Sequence, residues 1–159
     1  MRRSGFTLVE LIITILILSV IAVVAYPRLP SFSGYALDGY CSELKSGLRR
    51  VQTQAMNDIA ASGAYSVTSS NIGGVVSWSQ PELNLDSSPD CVGPSCSQIM
   101  RFSEEDTRRG VTINSQFISF DNFGRLLNSS VSNATFTIDA PSGESTSVTI
   151  NLEGYIGGC

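Results

Sequence analysis

The chain opens on an apolar run, FTLVELIITILILSVIAVVAY at positions 6–26, in which Glu10 is the one side chain charged at neutral pH. As a helix rising about 1.5 Å per residue, its 21 residues are long enough to cross the hydrocarbon core of a bilayer. Pro27 lacks a backbone donor and clashes with the turn before it, so a kink or break is predicted there, and Pro30 predicts a second. A stretch rich in Pro, Ser and Gly at 27–34 reads as a loop. Apolar residues then return at spacings of three and four: Leu37, Tyr40, Cys41, Leu44, Leu48, Val51, Ala55 and Ile59. Glu43, Lys45, Arg49, Arg50, Gln52, Gln54 and Asn57 fall on the other face. The pattern predicts an amphipathic helix of about 25 residues with one buried stripe, capped by Gly63. From position 64 onward the period shortens to that of strands, expected at 65–68, 75–79, 99–102, 111–114, 117–121, 134–138 and 147–152. Phe117 to Phe120 and Thr135 to Ile138 alternate apolar with polar, as half-buried antiparallel strands do. Turns are expected at 122–124 and 141–143. Helices followed by antiparallel strands make an α+β fold, with the amphipathic helix packed on a sheet.

Charge gives the apolar run a direction. Arg2 and Arg3 precede it with no acidic neighbour, which keeps the N-terminus cytoplasmic and sends everything after Tyr26 across the inner membrane. A cleaved secretory signal fits poorly, because its apolar core spans only about 7–15 residues before a small-residue cleavage site, and Tyr26-Pro27-Arg28 is no such site. A plain signal anchor fits the length but leaves Glu10 unexplained. An ionisable group inside a membrane segment costs a few kcal/mol and marks a function by default. Were the chain cut between Gly5 and Phe6, the new ammonium group would lie one helical turn from this carboxylate. The two can then neutralise each other, within one subunit or between two staggered ones.

Those residues, Gly5-Phe6-Thr7-Leu8-Val9-Glu10 followed by the apolar stretch, resemble the class III signal of type IV prepilins and type II secretion pseudopilins. The resemblance implies that a membrane aspartic peptidase cuts after Gly5 and methylates the amine of Phe6. It also implies that Glu10 serves subunit recruitment and assembly, and that Pro27 bends or melts the helix in the filament. The expected fold is then the pilin fold, divided into a leader at 1–5, a transmembrane and assembly helix at 6–26, a kink and amphipathic helix at 27–63, and a periplasmic β-rich domain at 64–159. The implied partners are other pilin subunits, the prepilin peptidase, an inner-membrane assembly platform and, before assembly, the inner membrane itself. The segment from Ile21 to Leu29 resembles subunits of mannose-sensitive haemagglutinin (MSHA) pili. The run Phe120-Asp121-Asn122-Phe123-Gly124-Arg125 looks like minor subunits of the GspH/FimT group. The narrower expectation is thus a minor pilin of MSHA type that contributes to pilus biogenesis and adhesion, with a secretion pseudopilin as the alternative.

Four cysteines, Cys41, Cys91, Cys96 and Cys159, in a chain with an export signal read as two disulfides. A four-thiolate metal site is disfavoured, since four residues rather than two separate Cys91 from Cys96. Three pairings are possible. Cys41–Cys159 with Cys91–Cys96 is favoured, because Gly93 and Pro94 suit a small loop and a bond at the last residue tethers an end that otherwise frays. The crossed pairings remain open.

The absence of His removes Ser-His-Asp and Cys-His nucleophile systems. No phosphate-cradling or dinucleotide fingerprint is found, and the run Glu104-Glu105-Asp106 reads as a solvated acidic turn, so neither an enzyme nor a cofactor is expected. Net charge is -4, and -6 once Arg2 and Arg3 leave, with 8 basic against 14 acidic residues. That balance opposes nucleic-acid binding, despite Arg101, Arg108, Arg109 and Arg125 as a conceivable basic patch. A pilus-tip binding module for a surface, a sugar or DNA is the remaining alternative. Trp78, Tyr65, Tyr155 and the loop at 80–98 would then form the contact, unless Trp78 simply packs in the core.

Overall fold

The computed structural model describes residues 7–25, 32–58, 65–80, 97–127 and 133–159. The chain forms two compact units, 1–32 and 33–159, and each is treated separately.

The first unit holds α1 (Leu8–Ala25), 18 residues with a mean hydropathy of 3.0 and no buried side chain. Its two mid-helix hydroxyls turn back onto the helix. Thr14 Oγ1 donates to the Leu11 carbonyl at 2.8 Å and Ser19 Oγ to the Leu16 carbonyl at 2.7 Å. Neither hydroxyl therefore presents an unsatisfied donor to an apolar surrounding.

The second unit begins with α2 (Phe32–Asn57), 26 residues long. It starts inside the stretch read as a loop from its Ser and Gly content. One glycine in a helix costs only about 1 kcal/mol, which the packing of a long apolar stripe overrides. Leu37, Cys41, Leu44, Leu48, Val51 and Ala55 are buried along that stripe, with Tyr40 packed beside it. Ile59 and the expected cap Gly63 lie outside the described residues.

The strands are β1 (Tyr65–Ser70), β2 (Val75–Ser79), β3 (Gln98–Arg101), β4 (Thr112–Ile113), β5 (Gln116–Phe120), β6 (Asn133–Asp139), β7 (Ser145–Asn151) and β8 (Ile156–Gly158). Among the described residues they form two four-stranded antiparallel sheets, ordered β3-β2-β1-β5 and β4-β6-β7-β8. All seven expected strands are present. β8 was not expected, because Ile156-Gly157-Gly158 carries too little β-forming character to read as a strand without its partner β7. The expected turns occur, with Gly124 N–H donating to Asp121 O and Gly143 N–H to Ala140 O.

Register decides which residues enter the core. In the first sheet Tyr65, Val67, Val76, Met100, Ile118 and Phe120 point inward; in the second, Ile113, Ala134, Phe136, Ile138, Val148, Ile150 and Ile156 do. Both sets join the α2 stripe in one hydrophobic cluster. The helix meets β3 at Gly47, where an added Cβ would lie 2.1 Å from Ile99 Cγ2, so only glycine permits this approach. The result is the α+β layout expected from the sequence, an apolar N-terminal helix followed by a helix and antiparallel sheets, and it is consistent with a pilin fold.

Candidate functional site

The N-terminal end of α1 is built around Thr7. Its carbonyl accepts from Leu11 N–H at 3.2 Å and its Oγ1 accepts from Glu10 N–H at 3.2 Å, so Thr7 is the N-cap and Glu10 the third helical residue. The spacing is that of a capping box, a Ser or Thr followed three residues later by an acid. The signal for it lies in Thr7-Leu8-Val9-Glu10 itself, beside the charge that makes Glu10 conspicuous in an apolar run. An acid in the first turn also faces the positive end of the helix dipole. Gly5, Phe6 and Pro27 lie outside the described residues.

The C-terminal end is fixed to α2. Cys41 and Cys159 form a disulfide across 118 residues, with Cα atoms 6.0 Å apart. The stripe of α2 supplies Cys41, and the adjacent polar face does the rest. Lys45 Nζ donates to the Gly158 carbonyl at 2.7 Å and Arg49 to the Ile156 carbonyl at 3.4 Å. Gln52 Nε2 donates to both the Gly154 and Gly124 carbonyls at 2.7 Å. These side chains, read from the sequence as the outward face, hold β8 and the turn before it. Gly154 has φ +84° and an added Cβ there would sit 1.9 Å from the Gly124 carbonyl oxygen. Cys91 and Cys96 lie outside the described residues.

The acidic run is solvated at Glu104 and Glu105 but not at Asp106. It forms the first turn of a short helix, α3 (Glu104–Arg109), and Asp106 is buried. Ser103 caps this helix: Asp106 N–H donates to Ser103 Oγ at 3.1 Å, and Ser103 Oγ–H donates to Asp106 Oδ2 at 2.7 Å. Tyr40 O–H reaches across from α2 to the same Oδ2 at 2.6 Å, while its oxygen accepts from Ser103 N–H at 2.8 Å. The Tyr40 and Ser103 hydroxyls hold the Asp106 carboxyl below its usual range. Burial, and then the Asp106 hydrogen bond, pushes the Tyr40 phenol up. No local pattern signals this network, because Tyr40 and Asp106 are 66 residues apart.

Asp121 is also buried. Burial raises its pKa, but donors from Arg125 N–H, the Arg125 guanidinium and Phe123 N–H outweigh this and leave it lowered. Of the conceivable basic patch, Arg108, Arg109 and Arg125 each sit against a carboxylate: Glu104, Glu105 and Asp121. No cluster of three or more His, Cys, Asp or Glu side chains able to hold a metal occurs among the described residues.

Of the aromatic residues considered for binding, Tyr65 and Trp78 are brought together and Tyr155 is not. Their rings stack with centroids 6.0 Å apart at 6°. Trp78 is half-buried against the core rather than within it, whereas Tyr155 is exposed on the turn between β7 and β8.

Comparison with known proteins matches residues 1–26 to the prokaryotic N-terminal methylation motif. No curated protein and no solved structure matches the chain. Together with an apolar helix close to the N-terminus, the motif fits membrane anchoring before assembly and implies processing by prepilin peptidase and assembly with other pilins. Over residues 1–26, the match supports the type IV pilin and pseudopilin family, with the chain as a precursor of that kind.

Proposed function

We propose that this chain is a minor subunit of a type IV pilus of MSHA type. Prepilin peptidase cuts it after Gly5 and methylates Phe6, and it enters the filament through its N-terminal helix, contributing to pilus biogenesis and adhesion. Its role is structural and non-catalytic. Before assembly it spans the inner membrane once, with residues after Tyr26 in the periplasm, where an oxidising environment sustains the Cys41–Cys159 bond. The observation that carries the reading is Glu10, an acid on an 18-residue helix of mean hydropathy 3.0, inside the methylation motif. Such an acid is tolerated where a liberated amine neutralises it, and the amine at Phe6 would be one helical turn away.

The test compares wild type with Glu10→Ala in a strain that assembles pili, measuring the subunit in sheared filaments and in the membrane. Processed Glu10→Ala subunit should accumulate in the membrane and be missing from filaments; normal incorporation would refute the ion-pair mechanism. Mass spectrometry of the mature subunit should find methylated Phe6 at its N-terminus. A chain still starting at Met1 would contradict the proposed processing.

A further inference from the structure

We propose that the hollow between the C-terminal end of α2 and the adjoining end of the first sheet is a binding site for a neutral saccharide ring. The cavity measures about 290 Å³ and is lined by Gln54, Asn57, Asp58, Tyr65, Trp78 and Gln80. That volume lies at the small end of ligand pockets, suited to one sugar ring rather than a long chain.

The fold assembles this lining from three short-range rules. Asp58 N–H donates to the Gln54 carbonyl, so the helical step continues to Asp58 and the two side chains share a face. On the sheet, Val67 pairs with Trp78, which makes Tyr65 the diagonal neighbour of Trp78 on the inward face, within reach of an aromatic ring. Continuing the register one step past Ser66 and Ser79 places Gln80 beside Tyr65. Asp58 Oδ2 then ties helix to sheet, accepting from Tyr65 O–H at 3.2 Å and Gln80 Nε2 at 2.9 Å.

The chemistry of the lining selects the ligand. Among the described residues no Lys or Arg lines the hollow, so a phosphate, sulfate or carboxylate ligand would meet Asp58 without a compensating cation from them. The described lining carries no aliphatic side chain either, so it offers little to a lipid tail. What remains is a half-buried indole, stacked on Tyr65, beside three carboxamides and a carboxylate. The negative face of an aromatic ring suits the C–H surface of a pyranose, and planar amides and a carboxylate suit its rim of hydroxyls, which both donate and accept. One acceptor is left unused: Gln54 Oε1 is buried and has no hydrogen-bond partner among the described residues. Buried acceptors are normally paired, and rotation of this amide toward the hollow would let a sugar hydroxyl supply the donor.

The test uses the full chain in zwitterionic detergent micelles without sugar headgroups. Trp78 is the only tryptophan, so its emission reports on this site alone. Glucose, galactose, mannose and N-acetylglucosamine are titrated separately to about 50 mM, a ceiling that covers millimolar affinities. At least one should give a saturable shift. Asp58→Asn, which keeps an acceptor for Tyr65 and Gln80, should weaken binding by roughly tenfold or more, and Gln54→Ala by about threefold. Circular dichroism of both variants should match wild type. No shift with any of the four sugars overturns the proposal. So does a shift seen only with tetramethylammonium, which would make the aromatic pair and Asp58 a cation site, or a sugar response untouched by both substitutions. Binding in micelles requires neither cleavage nor polymerisation, so a failure here leaves the assembly reading standing, and a failure of assembly leaves this one standing.

Discussion

Glu10 sits where two demands coincide, since Thr7 Oγ1 takes its backbone N–H while its acid belongs to the first turn of the helix. A substitution there changes both charge and helix start, and the two can be separated. Thr7→Ala removes the cap at a cost of about 1 kcal/mol and keeps the acid. Glu10→Gln keeps a capping-box residue and removes the charge. If charge neutralisation drives assembly, Glu10→Gln should lower the subunit's share of sheared pili by roughly tenfold or more, because an unpaired buried charge costs several kcal/mol. Thr7→Ala should change it much less. A loss with Thr7→Ala and none with Glu10→Gln would make the acid a capping residue and nothing more. A second local test concerns Tyr40. Tyr40→Phe takes the donor from Asp106 Oδ2 and the acceptor from Ser103 N–H, and should lower stability by about 1–3 kcal/mol in chemical denaturation.

α2 is the element on which the second unit is organised, and its two faces do different work. The apolar stripe packs the sheets, while Lys45, Arg49 and Gln52 receive the chain end. Gly47 sets the distance between α2 and β3. Gly47→Ala would gain up to about 1 kcal/mol in helix propensity, but forcing Ile99 aside costs about 1–3 kcal/mol. The net expectation is a loss of about 1–2 kcal/mol, read as a lower denaturation midpoint with an unchanged slope. α3 illustrates an element too short to stand alone. Six residues cannot nucleate a stable helix, so its cap, two i,i+4 ion pairs and the Tyr40 contact must supply the stability. The exposed pairs contribute a few tenths of a kcal/mol each at most.

Across the 118-residue separation, the Cys41–Cys159 bond is the longest constraint described. The chain-entropy model gives such a loop about 4–5 kcal/mol, with delivered values often lower. Cys159→Ser should therefore lower stability by about 2–5 kcal/mol and loosen β8 first. Hydrogen exchange should then rise at β8 and the facing edge of β7 before it rises at β6. Acid tests the buried carboxylates together. Asp106 and Asp121 have lowered folded values, so their stabilisation is present above the ordinary Asp range and is lost as pH falls through the folded values. Stability should drop below about pH 4, and Asp106→Asn should flatten that drop.

Local pattern sufficed for the apolar helix, the amphipathic stripe, seven strands and the α+β class, because helix and strand periods are written in consecutive residues. The N-terminal motif was equally legible, being contiguous, and Thr7 as a cap was legible too although it went unused. Other features were decided only by folding. These are the split into two sheets, the pairing of β8 with β7, the burial of Asp106 under Tyr40 and the meeting of Asp58 with Tyr65 and Trp78. Some of these pairs are close in the chain, as Asp58 and Tyr65 are, and others far apart, but all depend on register and packing, which no local spacing encodes.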